Sequence, residues 1–358
     1  MNILIDIGHP GHVHYFKNTI KHLTDNKHKV FIVARDRKVV IELLQRMKLP
    51  YFNRGKGKDS KLGKLFYMLV ADVKILKIAL KFKPDLFLSF SSPYAAQVSY
   101  MLNKPHIALT DTEHEDNVLS KFTYPFSDSI LTGESYQNNL GEKHIRFNSI
   151  IEGLYLHEDY FKPSNNIKED LQLKEEDEYV IIRFVSWTAH HDVGHSGLDN
   201  QTKRELIEAL KIKYKILISS ENELPEEFMQ YQINIPAEKM HDVLASASIF
   251  IGESATMASE SAMLGTPAVY INSLPLMGYL ELEQKAGLLA HFESSEGVVR
   301  HVKELIKDSN LKASSKEKSK LMQKDFINPT KFLIWFIENY PKSKAIMKEN
   351  PEYQLKFK

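Results

Sequence analysis

Short apolar runs alternate with longer amphipathic stretches along almost the whole chain. The runs are rich in Ile, Val and Phe, and this order is typical of parallel β-sheets, whose strands are joined by helical crossovers. Strands are predicted at 2–7, 29–34, 85–90, 106–109, 128–131, 179–185, 214–219, 249–252 and 268–272. Helices are predicted at 13–25, 37–47, 62–82, 93–102, 200–212, 238–246, 256–264 and 279–286.

The alternation lapses between about residues 148 and 176, where polar and charged residues predominate, and then restarts. This pattern predicts two α/β domains of similar design, residues 1–150 and 177–325, with a connector at 151–176. Residues 326–358 are predicted to form a helical tail. Its apolar face, which includes Phe332 and Trp335, could pack against either domain.

Composition limits the chemistry. The 358 residues carry 47 Lys and Arg against 46 Asp and Glu, so the basic excess of a nucleic-acid-binding protein is missing. There is no cysteine, which excludes disulfides, thiolate nucleophiles and thiolate metal sites and favours a cytoplasmic location. The start of the sequence lacks the pattern of a secretory signal, and the longest apolar run, 65–80, is interrupted by charges, so we expect neither export nor a membrane span.

The sharpest local pattern lies at residues 249–267. A strand ending at Gly252 is followed by Ser254 and Thr256, and then by a short helix that Gly265 terminates. A helix N-terminus at the carboxyl edge of a parallel sheet favours phosphate, and Glu260, one turn later, could bind a ribose diol. The alternative is an ordinary N-cap followed by a solvated glutamate.

This segment resembles the nucleotide-binding element of GT-B-fold enzymes, a group that includes UDP-N-acetylglucosamine 2-epimerases and the N-acetylglucosaminyltransferase of peptidoglycan synthesis. Ser254 matches the phosphate-contacting serine and Glu260 the ribose-binding glutamate, while Ala255 and Thr256 replace two glycines. The resemblance implies a GT-B fold, in which two Rossmann-like parallel-sheet domains face each other across a cleft.

Further landmarks follow in the order that these enzymes show. Residues 6–12 resemble their glycine-rich first turn, with Gly8, Gly11 and a closing His12, and residues 114–117 resemble the His-Glu-Gln-Asn of the peptidoglycan transferase. Pro84-Asp85 matches a Pro-Asp common to both groups. The combination also resembles an uncharacterised prokaryotic family that is glycosyltransferase-like.

The resemblance implies a glycosyltransferase that moves a sugar from a nucleotide diphosphate, UDP by analogy, to a glycan or lipid-linked acceptor in surface polysaccharide synthesis. The second domain would bind the donor and the first the acceptor, with His12 as general base. Neither metal nor another cofactor is expected, since the helix dipole and Arg183 can stabilise the leaving diphosphate. The expected site residues are His12, Glu113 and His114 for catalysis, and Gly8, Gly11, Ser92, Asn117, Arg183, Ser186, Trp187, His190, His191, Ile235, Pro236, Glu253, Ser254, Ala255, Thr256 and Glu260 for binding.

Three other functions remain open. An epimerase would use carboxylates such as Glu113, although Ser92 stands where the epimerases have a cleft aspartate. A non-catalytic protein would bind the nucleotide sugar without turnover. His12 and His14, with later His and Asp, also resemble the metal-binding start of amidohydrolase barrels, but such a barrel needs eight closely spaced βα units.

Both histidine clusters also have structural interpretations. His12 could be exposed or could cap a helix, and residues 183–192 could form a surface loop with a structural arginine.

Lysines at 56–64 precede an apolar helix with further lysines at 74, 77 and 81, which is typical either of a core helix with solvated lysines or of peripheral contact with an anionic membrane.

Overall fold

The computed structural model describes residues 1–58, 60–185, 197–220 and 223–358, with only the backbone for residues 61 and 62. The chain forms two compact units. Unit 1 comprises Met1–Tyr160 and Phe326–Lys358, and unit 2 comprises Phe161–Asp325.

Each unit contains a parallel sheet. Unit 1 has seven strands in the order β3-β2-β1-β4-β5-β6-β7, and unit 2 has five in the order β12-β11-β10-β8-β9. The strands are β1 (Asn2–Ile7), β2 (Lys29–Arg35), β3 (Tyr51–Gly55), β4 (Leu86–Phe90), β5 (His106–Leu109), β6 (Ser129–Gly133), β7 (His144–Phe147), β8 (Tyr179–Phe184), β9 (Lys215–Ser220), β10 (Ile249–Gly252), β11 (Ala268–Ile271) and β12 (Leu289–Phe292).

Helices form the crossovers and cover the sheets. They are α1 (Pro10–Asp25), α2 (Lys38–Arg46), α3 (Lys61–Phe82), α4 (Pro93–Met101), α5 (Asp116–Phe122), α6 (Gly153–Leu156), α7 (Ile167–Asp170), α8 (Asn200–Leu210), α9 (Met240–Ser246), α10 (Ala255–Met263), α11 (Gly278–Lys285), α12 (Val298–Leu305), α13 (Leu311–Gln323), α14 (Pro329–Glu338) and α15 (Lys342–Glu349). Among the described residues, no helix has both the length and the apolarity needed to cross a membrane.

The C-terminal tail packs on unit 1. The Thr330 hydroxyl donates to the Leu154 carbonyl at 2.7 Å, and the rings of Phe147 and Phe332 lie 5.9 Å apart. This packing buries α6, which lies inside the stretch 151–176 that was expected to be a connector. The chain passes from unit 1 to unit 2 after Tyr160 and returns to unit 1 after Asp325, so α6 belongs to unit 1.

The middle of α10 is anchored by a buried carboxyl group. Glu283 on α11 is fully buried, and the Ser259 hydroxyl donates to its Oε1 at 2.5 Å. Burial raises the pKa of Glu283 to about 8, so the folded chain holds this proton at neutral pH.

Glu283→Gln is therefore expected to change the pH dependence of unfolding. The unfolded chain releases the Glu283 proton near its ordinary pKa, whereas the folded chain keeps it up to about pH 8, so stability falls as pH rises between these values. The difference in unfolding free energy between Glu283→Gln and the unsubstituted chain should therefore change by about 1.4 kcal/mol from about pH 6 to about pH 7, in favour of Glu283→Gln. Urea titrations at both pH values measure this difference, and parallel profiles for the two proteins would contradict the assignment.

Candidate functional site

The site residues of unit 2 lie where its strand order reverses. β8 has β9 on one side and β10 on the other, and in open parallel sheets ligands bind outside the carboxyl ends of strands at such a reversal. Gly252 ends β10 against Arg183 of β8. A Cβ at Gly252 would lie 2.7 Å from both the Cβ and the carbonyl oxygen of Arg183, so the close approach of these strands requires glycine.

The first turn of α10 begins directly at this edge. Ser254 caps the helix, and its hydroxyl accepts a hydrogen bond from the Met257 amide at 3.3 Å. Ser254, Ala255 and Thr256 are partly exposed, whereas every residue from 257 to 263 is buried. First-turn amides have no partner within a helix, so this exposed turn, at the positive end of the helix dipole, is suited to an anion.

Glu260 is buried rather than solvated. Its Oε1 lies 2.9 Å from Nε2 of His241 on α9, and both side chains are less than a tenth exposed. The imidazole therefore holds the carboxylate in place one turn beyond the capped end of α10.

Glu253 has a role that its position in the motif does not reveal. Its Oε2 accepts from the Val185 amide at 2.8 Å and its Oε1 from the Leu198 amide at 2.7 Å. The buried carboxylate thus joins Val185 to Leu198, which lie on either side of residues 186–196. Both carboxylate oxygens thus accept from backbone amides, and the expected contact of Glu253 with substrate stays a prediction.

The remaining expected residues of unit 2 fall into two groups. Nη1 of Arg183 donates to the Ser219 hydroxyl at 2.8 Å, which fixes the guanidinium at the end of β8. Ile235 and Pro236 are half-buried in the segment before α9. Four expected residues lie outside the described residues, namely Ser186, Trp187, His190 and His191.

Unit 1 places His12 at its own strand reversal, between β1 and β4. The ring packs 4.8 Å from that of Phe90, and its Nδ1 accepts from the Gly8 amide at 3.2 Å. Burial, His9, Arg37 and Arg54 hold the pKa of His12 well below its ordinary value, so the ring is neutral at cellular pH. A neutral ring that accepts at Nδ1 carries its proton on Nε2.

The neighbouring histidines have structural roles. His9 caps α1, and its Nδ1 accepts from the Gly11 amide at 3.2 Å. His14 is buried, with its ring 5.7 Å from that of Tyr155. The cap that was considered for His12 is thus formed by His9.

A buried ion pair connects three segments behind His12. Nε of Arg54 donates to Asp6 at 2.9 Å, and the guanidinium lies 4.5 Å from the ring centre of Tyr94. The Ser92 hydroxyl donates to the other Asp6 oxygen at 2.5 Å. This uses the only hydroxyl proton of Ser92, which thus holds Asp6, and the expected contact of Ser92 with substrate stays a prediction.

Carboxylates cluster after β5. Glu113 begins a short 3-10 helix, Glu113–Glu115, and its Oε1 accepts from the Gln137 amide at 3.2 Å; His114 is half-buried and Asn117 is exposed. Asp111 is a further acidic residue that was not among those expected; burial raises its pKa to about 6, and Glu113 and Glu115 add to the rise. Its position two residues after an apolar strand could have identified it as a candidate site residue from sequence.

Comparison with known proteins supplies the family. A model for the family described as "Protein of unknown function (DUF354)" matches residues 1–330. The chain belongs to the DUF354 family. An uncharacterised protein, MJ0665 of Methanocaldococcus jannaschii, is 22% identical over 317 residues, which cover 85% of this chain and 91% of that protein.

Solved structures confirm the fold. The UDP-GlcNAc 2-epimerase of Neisseria meningitidis, solved with UDP-GlcNAc, has a TM-score of 0.65 at 12% identity and covers 90% of this chain and 99% of its own. The glycosyltransferase SsfS6 of Streptomyces sp. SF2575 has a TM-score of 0.61 at 12% identity, with 95% and 100% covered. The DUF354 chain therefore has the GT-B fold of two Rossmann-like domains, and the barrel of the amidohydrolase alternative is wrong.

Proposed function

We propose that this DUF354 protein is a glycosyltransferase that moves a sugar from a nucleotide diphosphate, UDP, to a glycan or lipid-linked acceptor in surface polysaccharide synthesis. The observation that carries the proposal is the exposed, serine-capped first turn of α10 at the strand reversal, with Glu260 held one turn behind it.

Unit 2 would bind the donor. The amides at Ala255 and Thr256 would face the diphosphate, Glu260 would accept from ribose hydroxyls, and Arg183 would add a positive charge. As the glycosidic bond breaks, negative charge grows on the leaving diphosphate. The helix dipole and the guanidinium stabilise that charge without reorganising.

Unit 1 would bind the acceptor. Asp111, with a pKa of about 6, is suited to take a proton from an acceptor hydroxyl at neutral pH. His12 would then act differently from the base expected from sequence, because its Nδ1 lone pair is engaged by the Gly8 amide. Its Nε2 proton is available to donate a hydrogen bond to a substrate oxygen.

Thermal unfolding in the presence of nucleotides tests donor binding. UDP at about one hundred times its dissociation constant should add about 2.7 kcal/mol to stability, which raises the melting temperature of a unit of this size by about 5 to 10 °C. ADP and GDP at the same concentration serve as controls for base selectivity. No shift with any nucleoside diphosphate or nucleotide sugar at millimolar concentration would refute the proposal.

An epimerase is the second candidate, favoured by the clustered carboxylates of Asp111 and Glu113. It would convert UDP-N-acetylglucosamine to its 2-epimer with no acceptor present, whereas a transferase requires an acceptor. A purely binding protein would give the thermal shift and no turnover in either assay.

A further inference from the structure

The outward face of α3 is apolar. Leu65, Phe66, Leu69, Val73 and Leu80 are each more than half exposed, while Tyr67, Ala71, Ile75 and Ala79 face the core. At 1.5 Å per residue, this apolar stripe (Leu65, Phe66, Leu69, Val73 and Leu80) extends about 22 Å along the helix. Isolated exposed apolar residues are ordinary on a protein surface, but a continuous helical face of them marks an interaction surface.

Neighbouring helices continue the stripe. α3 packs against α4, and α4 against α5. Nε2 of Gln97 on α4 donates to the Phe122 carbonyl of α5 at 3.0 Å and contacts Sδ of Met68 on α3 at 3.6 Å, so Gln97 links the end of α5 to the first half of α3. Val118 and Phe122 on α5 are exposed apolar residues. Right-handed crossovers put α3, α4 and α5 on the same face of the sheet.

Exposed lysines border this surface. Residues 54–83 contain nine Lys and Arg against two Asp, although the chain as a whole carries a net charge of +1. The acidic group on α3 does not offset them at the surface, since Oδ1 of Asp72 is buried. The exposed lysines form what we call the lysine collar: Lys56, Lys58, Lys64, Lys77, Lys81 and Lys83.

We propose that the apolar stripe and the lysine collar dock unit 1 on the surface of an anionic phospholipid bilayer. The stripe would enter the boundary between headgroups and acyl chains, and each lysine near the surface would gain from the negative potential of anionic lipid. A symmetric contact between two copies of the chain fits less well, because it would press one lysine collar against another.

The surface also has a functional orientation. α3 begins after β3, at the carboxyl edge of the sheet that carries His12 and Asp111, so the Phe66 end of the stripe lies toward that edge. A lipid-linked acceptor would therefore be presented from the docked side. This last point depends on the proposed function, whereas membrane docking does not.

Vesicle flotation of the full chain tests the docking. Vesicles of phosphatidylcholine with roughly one third phosphatidylglycerol should carry the protein at low salt, and pure phosphatidylcholine should carry much less. Phe66→Ser with Leu69→Ser should reduce partitioning by at least about tenfold. Lys77→Glu with Lys81→Glu should reduce it by about twentyfold or more, given the gain expected per lysine.

The matched control is Ile212→Ser in unit 2, an apolar residue that is 86% exposed and should leave partitioning unchanged. Thermal unfolding verifies that each variant is folded, as expected for exposed positions. The proposal is overturned if the unsubstituted protein floats with neither vesicle, or if Ile212→Ser loses as much binding as the α3 variants. It is also overturned if sedimentation shows that the stripe instead joins two copies or holds a protein partner. No nucleotide is present, so the result is independent of donor binding.

Discussion

His12→Ala is expected to lower turnover by about 100-fold to 10,000-fold while leaving UDP affinity unchanged. His12 lies at the strand reversal of unit 1, and its neutral ring is held by the Gly8 amide at Nδ1 and by the Phe90 ring. The Nε2 proton is therefore directed by the protein before substrate arrives, and a preorganised donor of this kind stabilises charge in the transition state. Turnover is measured as UDP release from the nucleotide sugar that stabilises the protein most.

His12→Gln separates the two chemical roles that this histidine could have. The Gln amide nitrogen reaches about as far as Nε2 and donates a hydrogen bond, but it cannot accept a proton. We expect turnover within about tenfold of that of the unsubstituted chain if donation is the role. His9→Asn is the matched control, because asparagine also caps a helix and should preserve both α1 and turnover. Loss of turnover in His12→Gln equal to that in His12→Ala would show that His12 acts as a base.

The central strands and the helices of both units were predictable from sequence, because each has the pattern of apolar residues that is typical of its type. The three missed strands are all at sheet edges, namely β3, β7 and β12. β3 contains a single buried residue, Arg54, and β7 begins with a buried histidine that pairs with Thr132 at 2.8 Å. β3 and β12 have one buried residue each and β7 has only four residues, so these edge strands give a weak hydrophobic pattern.

The boundary between the units depends on packing between residues that are far apart in sequence. α6 packs against α1 and against α14, and α14 lies more than 170 residues later in the chain. The sequence of residues 151–176 alone does not show that a distant helix packs against α6. The order of two α/β units agrees with the prediction, because strands and helices alternate on both sides of this stretch.

For the candidate site, sequence spacing predicted the sheet edge at which the residues lie but not the contacts that each side chain makes. The strand-to-helix transition at Gly252 and Ser254 was predictable, and the structure has it. The roles of Glu253 and Ser92 depend on partners 55 to 86 residues away in sequence, Leu198 and Asp6. No spacing rule reveals such partners, and the raised pKa of Asp111 depends on burial in the same way.

Glu260→Gln is expected to weaken UDP binding by about 10-fold to 100-fold, the usual worth of hydrogen bonds to a charged group. Glutamine keeps the volume of the side chain and an oxygen that can accept from His241, so the buried contact with α9 is retained. What it removes is the negative charge that would receive the ribose hydroxyls. Isothermal titration with UDP measures the change, and thermal unfolding without ligand shows whether the fold is intact.

The most informative control is Glu283→Gln, which replaces the same residue type on the next helix but removes no charge at neutral pH, because buried Glu283 is protonated there. Glu283 is buried and bonded to Ser259 of α10, one residue before Glu260, but its carboxyl group is directed into the core of unit 2. If UDP binding needs the Glu260 carboxylate, only Glu260→Gln loses affinity for UDP. If both variants weaken UDP equally, the effect arises from distortion of α10, and if neither does, Glu260 serves only to hold His241. If only Glu260→Gln weakens UDP binding, the ribose is bound by the Glu260 carboxylate, which His241 already holds in place.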